Sequence, residues 1–268
     1  MNITIFPNPT PQKYKDLFNA LVSAGFFTTY HQRHSGGFKS NFNEVEGGYE
    51  GEIITYTDID PNSPFFDLEK KEPLLDETGK PIPQLDKNIK PDYKEHPFAF
   101  FPQEHRLIFE TKIRPNAMLK LIQGLVNNIN FSDTVTLILE QVRETIELIK
   151  GLRSIEKLNI QVSLPNGDSF RETIMKKIED TKNRNIHKTS FQYTSIPKTG
   201  IVLDDDTIDW IDLSASYGST TATGKMLDNK KKTISTMNKP LTEKVEITLG
   251  SFLLTAKEFL LKIVNRLK

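Results

Sequence analysis

One stretch of the chain, from Ile208 to Met237, restricts the possible fold more than any other. It predicts three strands at residues 208–217, 219–225 and 233–237, joined by a turn at Gly218 and a second turn at Asp228-Asn229. The middle strand consists mostly of serine, threonine and alanine, and a run of lysines follows the second turn. Strands of this composition cannot be buried on both faces, so one face of this sheet must meet water or a polyanion.

Strand-like and helix-like segments alternate along the rest of the chain. The clearest hairpin signal lies at residues 98–111, where two apolar runs flank a turn at Pro102–His105. Helical spacing of apolar residues predicts helices that begin near Pro11, Pro115 and Ser251. Because hairpins outnumber parallel crossovers, we expect an α+β fold with mainly antiparallel sheets, packed helices and two loosely similar halves.

A further helix is predicted at residues 132–150, with Ser132 as its N-cap. Apolar residues recur there at spacings of three and four, from Val135 to Ile149, and form one continuous stripe. The stripe predicts either a core-facing helix or a seam between two copies of the chain.

The chain is 268 residues long, which suits one large domain or two of ordinary size. We place a boundary just after Gly151. Residues 1–152 then form an N-terminal α+β domain with a proline-rich excursion at residues 60–97. Residues 153–268 form a C-terminal α+β domain with a basic helix and the polar sheet.

Composition excludes several classes of site. The chain has no cysteine, so it has no disulfide framework, no thiolate metal site and no cysteine nucleophile. Its first residues show neither a basic region nor a long apolar run, and no window approaches roughly 18 uninterrupted apolar residues. We therefore expect a cytoplasmic protein with no membrane span.

The formal net charge is zero, but the charge is unevenly distributed. Residues 1–100 carry a balance of −5 and residues 101–268 a balance of +5. A local basic face can bind phosphates whatever the total charge, although exposed lysines also simply solvate helices. The residues predicted to contact nucleic acid are Arg171, Lys176, Lys177, Lys182, Arg184, Lys188, Lys225, Lys230, Lys231 and Lys232.

Catalytic patterns are weak. His31 and His34 lie in a predicted strand, where side chains three residues apart point to opposite faces. The aspartates at 204–206, Asp209 and Asp212 form a dense cluster of carboxylates, but this cluster lacks the spacing of a calcium-binding loop. The stretch from Glu243 to Glu246 could be compared with a metal-binding element of nucleases, but charged residues at the edge of a strand explain it equally well. We therefore assign no catalytic residue, no metal site and no cofactor.

The hairpin at residues 96–110 and the polar stretch at residues 214–224, with Ser235 and Thr236 downstream, resemble a family of bacterial proteins catalogued as a domain of unknown function. More distantly, the size and order of elements are similar to those of RexA phage-exclusion proteins and of KwaB subunits of the Kiwa defence system. The resemblance covers about residues 96–240. It implies an intracellular prokaryotic defence protein that binds DNA and self-associates, and it supplies no catalytic residue.

The leading hypothesis is a non-enzymatic protein of phage defence that binds duplex DNA with low sequence specificity through its C-terminal half. A homo-oligomer and a second defence-system protein are its expected partners. One alternative is a metal-dependent nuclease that uses the aspartates or His31 and His34. Another is a non-catalytic interaction subunit that dimerises through the helix at residues 132–150.

Overall fold

A computed structural model of the protein describes all residues except 28–34, 40–41, 61–62, 83–85, 87, 111, 165–171, 245–251 and 268. The helices in the described part are α1 Pro11–Ser23, α2 Pro115–Asn128, α3 Arg143–Lys150, α4 Glu172–Asn183, α5 Asp205–Tyr217 and α6 Phe252–Leu267. The strands are β1 Asn2–Phe6, β2 Phe26–Phe27, β3 Ser35–Phe38, β4 Asn43–Val45, β5 Gly48–Tyr56, β6 Phe66–Asp67, β7 Glu72–Pro73, β8 Lys94–Phe101, β9 Arg106–Phe109, β10 Thr134–Ile138, β11 Ser154–Ser163, β12 Lys188–Thr194, β13 Gly218–Lys225 and β14 Lys231–Ser235.

These strands form two main sheets, and all pairings among the described strands are antiparallel. The first sheet has the order β10-β1-β9-β8-β5-β3-β2, with β4 added to β5. The second sheet has the order β12-β11-β13-β14, and β6 and β7 form a small separate hairpin. The expected α+β fold with mainly antiparallel sheets is thus confirmed.

The first sheet is covered on one face by α1 and α2. The Thr10 side chain accepts a hydrogen bond from the Lys13 backbone N–H, and Pro11 fits the first turn, so α1 begins where the sequence predicts. Its buried Phe18 lies within 6.0 Å, centroid to centroid, of five other aromatic rings. These rings form part of the core between the first sheet and the helices α1 and α2.

The last helix, α6, covers the opposite face of the first sheet. Ala256 and Leu260 pack against Ala99, Phe101 and Ile108 of β8 and β9. The predicted C-terminal domain at residues 153–268 therefore contributes its final helix to the sheet of the N-terminal part. The predicted boundary near residue 152 falls between α3 and β11, whereas the chain passes from the first core to the second earlier, between β10 and α3.

The second sheet is covered on one face by α3, α4 and α5. Apolar side chains of β11, such as Leu158 and Ile160, pack there against Ile146 of α3, Ile178 of α4 and Ile211 of α5. Phe191 of β12 adds a ring contact at 5.0 Å from the Trp210 ring. The helices therefore form one layer over this sheet.

The predicted strand at residues 208–217 is wrong, because these residues form most of α5. The Asp204 side chain accepts a hydrogen bond from the Thr207 backbone N–H, and Asp205 and Asp206 occupy the first turn, where carboxylates favour the helix dipole. Buried residues recur at Thr207, Ile211 and Ser214, which is helical spacing. The aspartates marked the start of a helix, and the local alternation of apolar and polar residues was misleading.

The predicted single helix at residues 132–150 is also wrong in its first half. Residues 134–138 form β10, which pairs with β1 along its whole length, and the helix α3 begins at Arg143. The β-branched residues Thr134, Val135 and Thr136 favour a strand. Residues 132–150 therefore do not form the single helix from which a dimer seam was predicted.

Other predicted elements agree with the structure where it describes them. The hairpin of β8 and β9, the helix α2 and the strand β13 lie where the sequence places them. The proline-rich excursion rejoins the first sheet at Lys94, slightly earlier than predicted. The sequence also predicts strands at residues 26–33 and 245–249; the structure describes the first only at β2, and the second lies outside the described residues. Among the described helices, none has the length and apolar character that crossing a membrane requires.

Candidate nucleic-acid interface

The second sheet leaves one of its faces open. Along β11, Leu158, Ile160 and Val162 are buried under the helices, whereas the alternate residues Lys157, Asn159 and Gln161 are exposed. Since side chains of a strand alternate between faces, this burial pattern identifies a covered face and an open face. The middle strand, β13, follows the same pattern, as its composition predicts.

Uncharged polar side chains fill the middle of this open face, which comprises the outward side chains of β11 to β14. The hydroxyl oxygens of Thr221 and Ser235 lie 2.9 Å apart, and those of Thr223 and Thr233 lie 3.0 Å apart. The neighbouring positions on the other strands are Asn159, Gln161, Ser190, Gln192, Thr194 and Ser219. At these described positions the open face carries neither an aromatic ring nor a carboxylate.

Lysines mark the two ends of the open face. Lys225 and Lys231 are directly opposite each other at one end, and Lys157 lies beside Thr223 on the next strand. Lys188 lies at the other end, opposite Ser163. Along β11 the distance from Lys157 to Ser163 is about 20 Å, at roughly 3.3 Å per residue. The lysines therefore bracket the polar middle rather than cover it.

A single described carboxylate, that of Glu156, lies among these lysines. The register of β11 and β13 shifts between Ile155 and Lys157, and this irregularity brings Glu156 into an ion pair with Lys231. The hydrogen bond from Lys231 lowers the pKa of Glu156, and the charges of Lys225 and Lys157 act in the same direction. Glu156 therefore stays ionised and neutralises part of this lysine cluster.

Two more of the residues predicted to contact nucleic acid lie near the turn between β13 and β14, namely Lys230 in the turn and Lys232 in β14. Lys230 is exposed and lies 3.2 Å from the carboxylate of Asp228. The side chain of Lys232 alternates with that of Lys231, so it lies on the side of the sheet that α3 covers. It lines a groove there with Glu144 and Glu147 of α3, and Lys230 and Lys231 also contribute to the wall of this groove.

The predicted residues of the basic helix lie on a different surface. Lys176 and Arg184 are exposed and Lys182 is half-buried in the layer formed by α4, on the covered side of the sheet. Arg171 lies outside the described residues. The ten predicted residues thus do not form one continuous face: Lys188, Lys225 and Lys231 belong to the open face, Lys230 projects from the turn, and the remaining described residues lie on the helix side.

Lys177 of α4 is bound within the protein. Its ammonium lies 2.7 Å from the Asp206 carboxylate and 3.2 Å from that of Asp209, and 5.7 Å from the centre of the Trp210 ring. Burial lowers the pKa of Lys177, but hydrogen bonds to the two carboxylates outweigh this effect and the net pKa is raised. Lys177 joins α4 to α5.

The aspartate cluster has the same internal role. Asp204 caps α5, Asp206 and Asp209 pair with Lys177, and Asp212 lies 2.5 Å from the ammonium of Lys150. No group of three or more histidine, aspartate and glutamate side chains in the described chain is arranged to hold a metal ion. His31, His34 and Glu246 lie outside the described residues, while Glu243 pairs with Lys262 at 2.7 Å.

Sequence reasoning missed four residues of the open face, namely Lys157, Asn159, Gln161 and Gln192. The signal was present in β11, where every second residue from Lys157 onward is polar and the residues between them are apolar. This alternation predicts an open face on its own. Which strands would lie beside β11 could not be read from the sequence, because β12 and β13 are separated from each other by α5.

A family model described as "Domain of unknown function (DUF4747)" matches residues 1–264, nearly the whole chain. No curated protein matches the sequence.

Proposed function

The chain belongs to the DUF4747 family, whose description states no function, and we propose from the geometry of its second sheet that it binds double-stranded DNA. The open face is the contact surface, with Lys157, Lys225 and Lys231 at one end and Lys188 at the other. Affinity comes from contacts with phosphates and is therefore largely independent of sequence.

The observation that supports this proposal is an uncovered polar sheet face with lysines at both ends. The roughly 20 Å between the ends exceeds the about 12 Å width of a major groove. The two ends can therefore reach the two phosphate backbones that flank one groove. Hydroxyl and amide side chains between them, such as Thr221 and Asn159, can donate hydrogen bonds to further phosphate oxygens.

The same face argues for a duplex rather than a single strand. Proteins that hold single strands stack successive bases on aromatic side chains. On this sheet the rings of Phe191 and Tyr193 lie on the covered side and pack toward the helices, and the described positions of the open face present none. Binding through phosphates alone is the mode that such a surface supports.

A binding experiment with two matched double variants tests the proposal. Lys157→Ala with Lys225→Ala removes two charges from the open face, and Lys176→Ala with Lys182→Ala removes two from α4. Fluorescence anisotropy with a duplex of mixed sequence, repeated over a salt series, measures affinity. The open-face variant is expected to bind more weakly and to lose about 1.8 units from the slope of log affinity against log salt. The α4 variant is expected to keep the affinity and the salt slope of the wild-type protein.

If only the α4 variant bound DNA more weakly than the wild type, the interface would lie on the basic helix and not on the open face. Absence of binding by the wild-type protein at low salt would reject DNA binding. Cutting of the duplex when Mg²⁺ is added would favour the metal-dependent nuclease instead. A role in phage defence and self-association both rest on the resemblance of residues 96–240, and both stay predictions. Phage plaque counts would test the role in defence, and the mass of the protein in solution would test self-association.

A further inference from the structure

Strand β12 forms one edge of the second sheet. It pairs with β11 over all seven of its residues, and no described strand lies on its other side. The opposite edge strand, β14, is shorter and begins with two lysines, and both features discourage another chain from pairing with an edge. β12 has no proline, its register with β11 shows no bulge, and its one charged residue is Lys188 at its start. β12 therefore presents an unprotected edge.

The hydrogen-bond pattern shows which residues of β12 point their backbone groups away from the sheet. The Leu164 N–H donates to the His187 carbonyl oxygen at 2.9 Å. Because hydrogen-bonded pairs alternate along an antiparallel ladder, every second residue from His187 onward directs its backbone groups to β11. The residues between them direct theirs outward, namely Lys188, Ser190, Gln192 and Thr194. None of these outward groups bonds to the backbone of another described residue, so four N–H donors and four carbonyl acceptors remain for a partner strand.

Two aromatic rings lie at the same edge. Phe191 and Tyr193 are stacked with 6.3 Å between their centroids and 13° between their planes. They lie on the helix side of the sheet, where Ile160 and Leu158, their neighbours on β11, are fully buried. Both rings stay partly exposed, because the helix layer does not fully cover this edge. A strand added along β12 would remove more of this apolar surface from water.

We propose that β12 pairs antiparallel with β12 of a second copy of this chain, with Phe191 opposite Phe191 of that copy. This register uses all seven residues, and it places Ser190 opposite Gln192 and Lys188 opposite Thr194. Since each pair of outward residues exchanges two hydrogen bonds, the four pairs make about eight. The strand is thus complementary to itself in its backbone groups.

The charges and the side chains of β12 fit the same register. The two copies of Lys188 lie at opposite ends of the paired strands, about 20 Å apart at roughly 3.3 Å per residue, so no like charges face each other. The two Phe191 rings meet directly, as cross-strand neighbours that stabilise a sheet. The pairing joins two four-stranded sheets into one of eight strands, with their open faces side by side. The inference does not depend on DNA binding by those faces.

Sedimentation equilibrium of the full chain tests the proposal. We expect a dimer at about 50 μM, a concentration at which a complex with a micromolar Kd is largely formed. Gln192→Pro removes an outward N–H without removing a bond to β11, which an edge strand tolerates, and is expected to give a monomer. The matched control is Thr233→Pro, which removes an outward N–H from β14 at the other edge and is expected to leave the dimer intact.

A pair of charge variants covers the case that Gln192→Pro misfolds. Ser190 and Gln192 are exposed, so their substitution spares the core. Ser190→Lys with Gln192→Lys brings like charges face to face across the two strands and is expected to give a monomer. Ser190→Lys with Gln192→Glu brings opposite charges together there and is expected to stay dimeric. Circular dichroism checks that all variants keep the fold.

Introduced cysteines test the register, because the chain has none of its own. Ser190→Cys in one copy lies opposite Gln192→Cys in the other, with about 5.5 Å between Cα atoms, a distance that a disulfide spans. The two single variants, co-expressed and oxidised, should therefore give a covalent dimer on a non-reducing gel. Each variant alone should stay unlinked, since its two cysteines would lie about 9 Å apart.

Three results would overturn the proposal. A wild-type protein that is monomeric at about 50 μM would show that the edge of β12 does not pair. A dimer that survives both Gln192→Pro and the double lysine variant would have its interface elsewhere. Absence of the mixed disulfide between the two cysteine variants would exclude this register.

Discussion

The two sheets of this protein are covered to different extents. The first has α1 and α2 on one face and α6 on the other, and its strand β8 buries four consecutive residues, Phe98 to Phe101. The second has helices on one face only, and its strand β11 alternates between buried and exposed residues. A run of consecutive apolar residues accompanies a sheet covered twice, and alternation accompanies a sheet covered once.

The same difference separates side chains that stabilise the fold from side chains that are available for binding. In the first sheet the outward side chains of the central strands contact helices, so their substitution affects packing. In the second sheet the outward side chains of β11 and β13 contact solvent, so they can be changed with little effect on the fold. Four pairs of substitutions, taken from the largest expected effect to the smallest, test how far this separation holds.

The largest effect is expected in the doubly covered sheet. Phe18→Ala should lower the free energy of unfolding by about 3–5 kcal/mol, because it leaves a cavity among five aromatic rings. Phe191→Ala, at a half-buried ring of the second sheet, should cost clearly less. Urea denaturation of both variants measures the difference. Equal losses would show that the second sheet is as tightly packed as the first.

The next effect concerns the helix layer of the second sheet. Lys177→Met keeps the apolar stem but leaves the mostly buried carboxylate of Asp209 without its partner, which should cost about 1.5–3 kcal/mol. The neighbouring exposed Lys176→Met is the control and should stay within about 0.5 kcal/mol of wild type. Thermal unfolding compares them. If both variants were as stable as the wild type, the pairing with α5 would not hold the layer together.

Two adjacent threonines of β13 distinguish the faces of one strand. Thr220 is fully buried and its hydroxyl lies 2.6 Å from that of Ser214, whereas Thr221 belongs to the open face. Thr220→Val should cost about 1–3 kcal/mol because it removes a buried hydrogen bond. Thr221→Val should change stability by less than about 0.5 kcal/mol. A larger loss for Thr221→Val in chemical denaturation would mean that the open face contributes to the fold.

The smallest effect concerns binding and not stability. Glu156→Gln should release Lys231 for contact with a phosphate, so that duplex DNA binds somewhat more tightly and the salt slope increases by about 0.9. Fluorescence anisotropy over a salt series measures both. Glu144→Gln, at an exposed carboxylate on α3, is the control and should change neither quantity. Unchanged binding in Glu156→Gln would place Lys231 outside the interface.

The sequence predicted the fold best where local signals and burial agree. The cap at Thr10 with Pro11, the hairpin of β8 and β9, and the small polar strand β13 all follow from residues close together in the chain. The errors arose where a periodicity was ambiguous. In residues 208–217 alternation hid a helix, and in residues 134–138 a helical stripe hid a strand that is fixed by pairing with distant β1.

The candidate site could be predicted in part. Lysines and small polar residues were visible, and they indicated a polar sheet with basic ends. Their division between two surfaces could not be predicted, because it depends on which side of the sheet α4 packs. The ion pairs of Lys177 depend likewise on α5, which the sequence presented as a strand.

The position of α6 has a consequence for how the chain folds. β1 lies in the first sheet and α6 packs on that sheet, so all strands of the second sheet lie, in chain order, between two parts of one packed unit. Contacts such as those between Ala99 and Ala256 join residues more than about 150 positions apart, and contacts of such long range slow folding. During synthesis β8 and β9 therefore keep an apolar face exposed until α6 has been made.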